Sequence, residues 1–351
     1  MRAVCFQSVR QVAVQEIADA TLEAATDAVV QVEVAGLCGS DLHPYFGRES
    51  GLDPGTVMGH EFVGRVVEVG DQVRSVAIGD RVCSPFTTNC GTCFYCRRGL
   101  SSRCPSGQLF GWRQKGVGLH GGQSERVRVP LADGTLMKIP DGIDPVAALL
   151  LGDNLSTGYF GASLAVDPSS IGEDAFAVVG CGTVGLLAIA SARRMGARNI
   201  YAIDPNTARL QIAERLGAAV FNAPEDALSA VRSATDGRGA DGVMEFVGLP
   251  EAQALAYRLI RPGGRMSVIG CHCTPNFAFS PADAYDKNLT YRTGRCPARS
   301  YMDVLPETLA TEPMDFSWCV THRFGVDDAE EAYQTFAGGK DGCVKAVLDF
   351  T

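Results

Sequence analysis

Phe176-Ala177-Val178-Val179-Gly180-Cys181-Gly182-Thr183-Val184-Gly185 is the stretch on which the fold turns: a short apolar run closes on G-x-G-x-x-G. A β-branched apolar run bounded by glycine reads as a buried strand, and the window 183–195 reads as a helix. The glycines therefore occupy a strand-to-helix turn, where each has a task. Gly180 permits the tight turn, Gly182 lets main chain approach a bound group, and Gly185 lets the helix pack against the strand. Glycine makes up 40 of the 351 residues, so the pattern takes its meaning from its surroundings.

Those surroundings repeat one unit. Apolar strands at 175–180, 199–203, 218–221, 242–247, 265–269 and 289–293 alternate with helical windows at 183–195, 206–216, 225–234 and 250–260. Glycines at 196, 217 and 263–264 fall where the helices should stop. Strict alternation predicts βαβ units, hence an α/β fold with a Rossmann doubly wound parallel sheet. Asp204 ends the second strand, 19 residues after Gly185, where a carboxylate binding the ribose of a dinucleotide is expected. Gly180, Gly182, Thr183, Val184 and Gly185 would then face the pyrophosphate from the helix N-terminus. A carboxylate repels a 2′-phosphate, so Asp204 favours NAD over NADP. Arg209 is the counter-signal: it is either a phosphate partner or a solvated helix residue.

A length of 351 residues gives a prior of about two domains. With 46% hydrophobic and 20% charged residues the composition is that of a folded soluble protein. The 31 basic and 40 acidic residues leave a net charge of −9, with no basic run, which argues against nucleic acid or an anionic membrane as partner. The opening Met1-Arg2-Ala3-Val4-Cys5-Phe6-Gln7 lacks a secretion-signal pattern, so a cytoplasmic location is expected. The uncharged stretch 175–192 reaches membrane length, but its glycines at 180, 182 and 185 divide it into strand, loop and helix. Upstream, strands are predicted at 28–36 and 61–69, and a loop region at 83–125. A helix at 301–310 and a strand at 343–349 break the alternation, which suggests that the tail returns to the first domain.

Thirteen cysteines without a signal peptide imply reduced thiols rather than a disulfide framework. Cys90, Cys93, Cys96 and Cys104 form C-x2-C-x2-C-x7-C, which suits a closed tetrahedral zinc site. An iron–sulfur cluster is the rival, because a triple C-x2-C followed by Cys104-Pro105 has ferredoxin character. The last gap, however, is seven rather than three, and no second set exists. Cys38, His60-Glu61 and Asp153 are scattered metal-ligand types. Singly, they also read as a core thiol, a satisfied histidine and a helix cap.

The whole chain resembles a zinc-dependent medium-chain alcohol dehydrogenase. The matching motifs are Gly-Leu-Cys-Gly-Ser-Asp-Leu-His at 36–43, Met-Gly-His-Glu at 58–61, the four-cysteine lobe at 90–104, Gly-Asp-Asn-Leu-Ser-Thr-Gly at 152–158 and Gly-Cys-Gly-Thr-Val-Gly at 180–185. The resemblance implies a mostly β GroES-like catalytic domain over 1–153 and 297–351, carrying a structural zinc lobe, and a Rossmann domain over 154–296. It implies two zincs per chain, one structural on the four cysteines and one catalytic on Cys38, His60 and Asp153, with Glu61 a second-shell or transient ligand. It implies a proton relay from Ser40 through the cofactor ribose to His43, the alternative being a turn serine and an exposed histidine. Asp41 would orient His60, as metal-bound histidines usually require, unless it is a simple turn aspartate. Thr157 would lie beside the nicotinamide, and Ile269, Gly270 and Cys271 would bond its carboxamide through main chain. Trp112 would line the substrate pocket, unless it is an ordinary core residue. Cys271-His272-Cys273 reads as a loop after a strand rather than a third metal site.

The implied activity is hydride transfer between NAD and small to medium primary or secondary alcohols, with reverse reduction of aldehydes and ketones, in a homodimer or homotetramer. Polyol, threonine and formaldehyde dehydrogenases are the alternatives within the superfamily; a catalytically silent cofactor-binding protein is the alternative outside enzymes. Asp153 stands where the horse-liver type has cysteine, which is similar to bacterial secondary-alcohol and glutathione-independent formaldehyde dehydrogenases. Those secondary-alcohol enzymes generally lack the cysteine lobe present here.

Overall fold

The computed structural model describes residues 1–139, 143–167, 174–311 and 314–350. The chain divides into two compact units, Met1–Ser156 with Pro297–Thr351, and Thr157–Cys296.

In the second unit six parallel strands form one sheet, ordered Ala219–Phe221, Asn199–Ile203, Ala175–Val179, Ala240–Glu245, Ile260–Val268, Thr290–Thr293. By chain order this is 3-2-1-4-5-6, the doubly wound arrangement, which reverses between the first and fourth strands. Ligands of such sheets bind beyond the carboxyl ends of the strands at that reversal. Ala175–Val179 is buried at every position, as a strand covered on both faces requires. The intervening helices run Thr183–Arg194, Thr207–Arg215, Pro224–Ala234 and Pro250–Leu259. Asn206 caps the second of them, its side-chain oxygen accepting from the N–H groups of Ala208 (3.0 Å) and Arg209 (3.2 Å). One expected stop signal lies elsewhere. Gly263 and Gly264 sit inside the strand Ile260–Val268, where Gly263 N–H bonds Lys287 O at 2.7 Å, rather than at the end of the preceding helix.

The first unit is built on a mostly antiparallel seven-stranded sheet. Ala28–Gly36 is its hub, pairing with Phe62–Val69, Arg126–Val129 and Ala346–Asp349. The tail enters this unit through Ala346–Asp349, through His322–Gly325 beside it, and through the helix Ala329–Gly338, whose Tyr333 is fully buried. Tyr333 and Phe336 pack with Phe6, Leu37, Tyr45 and Met58 in one core cluster, and Phe62, Val66, Val82 and Phe110 belong to another. Residues 83–125 are largely irregular, with one small hairpin, Trp112–Gln114 against Val117–Leu119. Sequence reading does not reveal the helix Pro145–Gly152. Asp144 caps it by accepting from Val146 N–H (2.8 Å), and proline takes its first position. Among the described residues no helix is long and apolar enough to cross a membrane.

Candidate metal and cofactor sites

Three separate pieces of local structure bring Cys38, His60, Glu61 and Asp153 together in the first unit. Cys38 follows the hub strand in extended conformation and caps the short turn Gly39–Asp41, its N–H donating to Asp41 Oδ2 at 2.8 Å. His60 and Glu61 immediately precede the strand Phe62–Val69. Asp153 is the single residue between the helices Pro145–Gly152 and Asn154–Ala165, closing the first and preceding the second, so it stands at a cap position as well as among the metal-ligand types. A ligand atom from each of the four lies within 4.8 Å of all the others.

Hydrogen bonding orients these groups. Asp41 Oδ1 lies 3.2 Å from His60 Nδ1, which assigns that nitrogen the proton and turns Nε2 toward Asp153 Oδ2 (3.3 Å) and Ser40 Oγ (3.2 Å). The Cys38 thiol donates to Asp153 Oδ2 at 3.3 Å. Asn154 Nδ2 donates to Glu61 Oε1 (2.7 Å) and Asp153 Oδ2 (3.2 Å). Lys345, fully buried, forms an ion pair with Glu61 and donates to Leu37 O at 3.0 Å. A Cβ at Gly36 would run into both members of that pair, so glycine leaves the space they fill.

The charge balance fits a cation. Burial, with Asp153 beside it, pushes the Cys38 thiol up to about 11. For His60, burial is outweighed by Asp41 and Asp153, which raise it well above its usual value. Burial also opposes ionisation of Asp153, yet His60 and then Lys345 hold it below the carboxylate range. Burial raises Glu61 against the pull of Lys345. Thiol, imidazole and carboxylate are the donor types of zinc, and a divalent ion would displace the protons held by Cys38 and His60.

The second cluster is local in sequence. A sulfur from each of Cys90, Cys93, Cys96 and Cys104 lies within 4.8 Å of the others. Around a single ion with Zn–S of about 2.3 Å, tetrahedral sulfurs sit roughly 3.8 Å apart, a spacing that a multi-iron cluster does not allow. Main-chain N–H groups point at these sulfurs: Cys93 N to Cys90 Sγ and Cys90 N to Cys104 Sγ, both 3.3 Å. Although burial opposes it, hydrogen bonds from Thr92 and Cys93 lower Cys90 to about 6, whereas burial and Cys93 raise Cys96 to about 12. All thirteen cysteines of the chain are free of disulfides.

In the second unit the glycine turn has the shape required of a phosphate cradle. Gly180 has φ +91°, a Cβ at Gly185 would strike Gly180 O, and a Cβ at Gly182 would meet nothing within 4 Å. Thr183 opens the following helix, with Val184 and Gly185 in its first turn. Asp204, 4% exposed, accepts from Cys181 N–H and Asn206 N–H, both at 2.8 Å. Arg209 Nη1 lies 3.8 Å from its carboxylate. The N–H groups of Ile269 (2.9 Å) and Gly270 (3.0 Å) are both taken by Glu245 O.

The remaining residues singled out in the sequence fall as follows. His43 is 6% exposed, and its Nδ1 has no hydrogen-bond partner among the described residues. Thr157 lies on the helix Asn154–Ala165. Trp112 is half-buried against the Tyr333 core cluster, and Cys271 is exposed in the loop after Ile260–Val268. Sequence reading missed Asn154 and Lys345. A lysine inside Val344-Lys345-Ala346-Val347-Leu348 was the available signal, since an apolar strand buries a cation only beside a partner.

Residues 24–141 match the alcohol dehydrogenase GroES-like domain family, and residues 183–309 match the zinc-binding dehydrogenase family. Zinc-type alcohol dehydrogenase B of Aspergillus flavus is 41% identical over 342 residues, 96% of this chain and 78% of that protein. The medium chain reductase/dehydrogenase ucsI of Acremonium sp. is 44% identical over 295 residues, 82% of this chain and 98% of that one. Among solved structures, alcohol dehydrogenase TADH from Thermus sp. ATN1 superposes with a TM-score of 0.92 at 38% identity, covering 100% of both chains.

Proposed function

The chain belongs to the zinc-dependent medium-chain alcohol dehydrogenases, and from that premise we propose NAD as its hydride carrier and assign its site residues. As a zinc-dependent oxidoreductase of this family it acts on small-molecule alcohols and the corresponding carbonyl compounds. The observation that carries the assignment is the buried meeting of Cys38, His60 and Asp153. These three hold the catalytic zinc, and Cys90, Cys93, Cys96 and Cys104 hold a structural one. When bound, zinc polarises the substrate oxygen and makes loss of the alcohol proton accessible near neutral pH.

The chain's own groups do the rest. Asp41 keeps the Nδ1 proton of His60 and so presents Nε2 to the metal. Lys345 draws one oxygen of Glu61 away, and Asn154 takes the other, so Glu61 stands beside the metal ligands without being one at rest. Ser40 gives up its own hydroxyl proton as it accepts that of the alcohol, and His43 takes up the released proton and passes it to solvent. Burial and Arg48 lower His43 from its usual value, so it is neutral and receptive at pH 7.

Asp204 supports NAD. Each of its oxygens accepts one main-chain N–H and retains a lone pair for a ribose hydroxyl, while its charge opposes a 2′-phosphate. Arg209 lies within reach of that same carboxylate, which balances its charge. Ile269 and Gly270, with their N–H groups occupied, offer the nicotinamide carboxamide their carbonyl oxygens.

Initial rates with NAD and NADP over primary alcohols, secondary alcohols, polyols, threonine and formaldehyde test the reading, with Cys38→Ala as control. Turnover on alcohols with NAD, lost in the control, is expected. A preference for NADP overturns the role of Asp204, and activity confined to polyols or threonine overturns the substrate class.

A further inference from the structure

Glu245 is a buried acid for which the chemistry above has no use. It ends the strand Ala240–Glu245, at the sheet's topological reversal, and is 0% exposed. Its position in Met244-Glu245-Phe246-Val247 is apolar, so an ionised side chain there requires partners. It has three. Oε1 accepts the N–H groups of Val247 (2.6 Å) and Gly248 (2.7 Å), and Oε2 lies 3.0 Å from His272 Nε2. Its main-chain oxygen accepts from Ile269 and Gly270 as well. One residue thus ties together the two loops that leave neighbouring strands.

Those loops touch main chain to main chain. Gly248 has φ +78°, and a Cβ there would lie 2.5 Å from Cys271 O and 2.8 Å from Cys271 N. A Cβ at Gly180 would lie 2.6 Å from Val247 Cγ2, so the segment held by Oε1 also lies against the glycine turn. With backbone in contact on both sides, a shift of 247–248 displaces 270–271. The main-chain bonds from Ile269 and Gly270 to Glu245 O hold the near side of this segment, and the His272 contact to the same glutamate holds its far side, beyond Cys271.

We propose that Glu245 and His272 form a positioning pair that sets the main chain of Ile269–Gly270–Cys271, and through it the affinity for the nicotinamide end of the cofactor. The inference rests on the assignment of 269–271 to the carboxamide. Neither residue touches the reacting atoms. Glu245→Gln weakens the pair by removing the charge, and His272→Ala removes the second anchor. His272→Gln keeps an N–H donor and restores part of the effect.

The test is equilibrium binding of NADH, and separately of ADP-ribose, which lacks the nicotinamide, to the zinc-loaded full chain. Glu245→Gln and His272→Ala are expected to raise the NADH Kd roughly tenfold, with His272→Gln between them and wild type. The ADP-ribose Kd should stay within about twofold, because the phosphate turn and Asp204 remain in place. Equal weakening of both ligands reveals a general structural role and overturns the proposal, as does an unchanged NADH Kd. Should Glu245→Gln not fold, the two His272 variants decide alone. Wild-type protein that binds neither NADH nor NADPH refutes the dinucleotide assignment itself; binding of NADPH alone refutes only the NAD choice, and the variants are then read with NADPH.

Discussion

Replacing Lys345 by methionine strands the Glu61 carboxylate in a site where both side chains are fully buried. Methionine matches the length of the lysine stem but supplies no donor, so two acceptors lose their partner: Glu61 Oε2 and Leu37 O. Two unit charges at contact in a site of effective dielectric about 20 attract by roughly 4 kcal/mol. Breaking a buried pair by removing one partner costs about 3–5 kcal/mol, and the abandoned carbonyl brings the variant toward the upper end. For a unit of this size that corresponds to a fall in Tm of roughly 6–20 °C. Thermal unfolding followed by circular dichroism at fixed zinc measures it, with two comparisons. The double variant Lys345→Met/Glu61→Gln removes the stranded charge and should recover about 2 kcal/mol. Arg323→Ala breaks the pair with Asp349, whose side chains are 49% and 30% exposed, and should cost no more than about 1 kcal/mol. A Lys345→Met cost as small as that of Arg323→Ala refutes the reasoning, and so does a double variant as unstable as the sum of its parts.

Asp41→Asn leaves His60 without its anionic partner and should lower zinc affinity or turnover roughly 10–100-fold, read by metal titration and kcat. Cys93→Ser should reduce bound zinc from two ions per chain to one and lower Tm while the NADH Kd is unchanged; two retained zincs refute the four-thiolate site. Asp204→Ala should lower kcat/KM for NAD relative to NADP by about tenfold or more, and an unchanged ratio removes Asp204 from cofactor choice. Because His43 is shifted down, it is a proton acceptor above a value lower than 6.5 and is lost as pH falls through it. Alcohol oxidation should therefore keep its rate to below pH 6.5, and Arg48→Gln should move that acid limb upward, whereas an unmoved limb excludes His43 as the acceptor.

The assemblies that the sequence reveals directly are those whose geometry is made within one turn of chain. G-x-G-x-x-G marks a tight turn between a strand and a helix, and the alternation of strands with helices implies a parallel sheet, whereas the order of its six strands is seen only in the fold. Cys90, Cys93, Cys96 and Cys104 span fifteen residues, so their spacing already points to a common ion. The strand predicted at 28–36 occurs with the same bounds, because its β-branched alternation is a local property. Its partners are another matter. The helix Pro145–Gly152 went unread because its apolar run lacks the 3.6-residue alternation with polar positions that marks a half-exposed helix.

Cys38, His60 and Asp153 were nominated by motif likeness, but what surrounds them depends on contacts across the chain. Lys345 reaches Glu61 over 284 residues, and Tyr333 holds Gln123 at 2.9 Å over 210. No local preference encodes such pairings: a lysine or glutamate in an apolar strand is unfavourable by itself and acquires its meaning only when folding delivers a counter-charge and excludes water. Glu245 and His272 are of the same kind, 27 residues apart on neighbouring loops. The sequence alone therefore determined the layered architecture and the metal-ligand types, since both follow from short-range sterics and chemistry. Only tertiary structure decided which buried charges face one another, because that depends on where burial places groups that the chain keeps far apart.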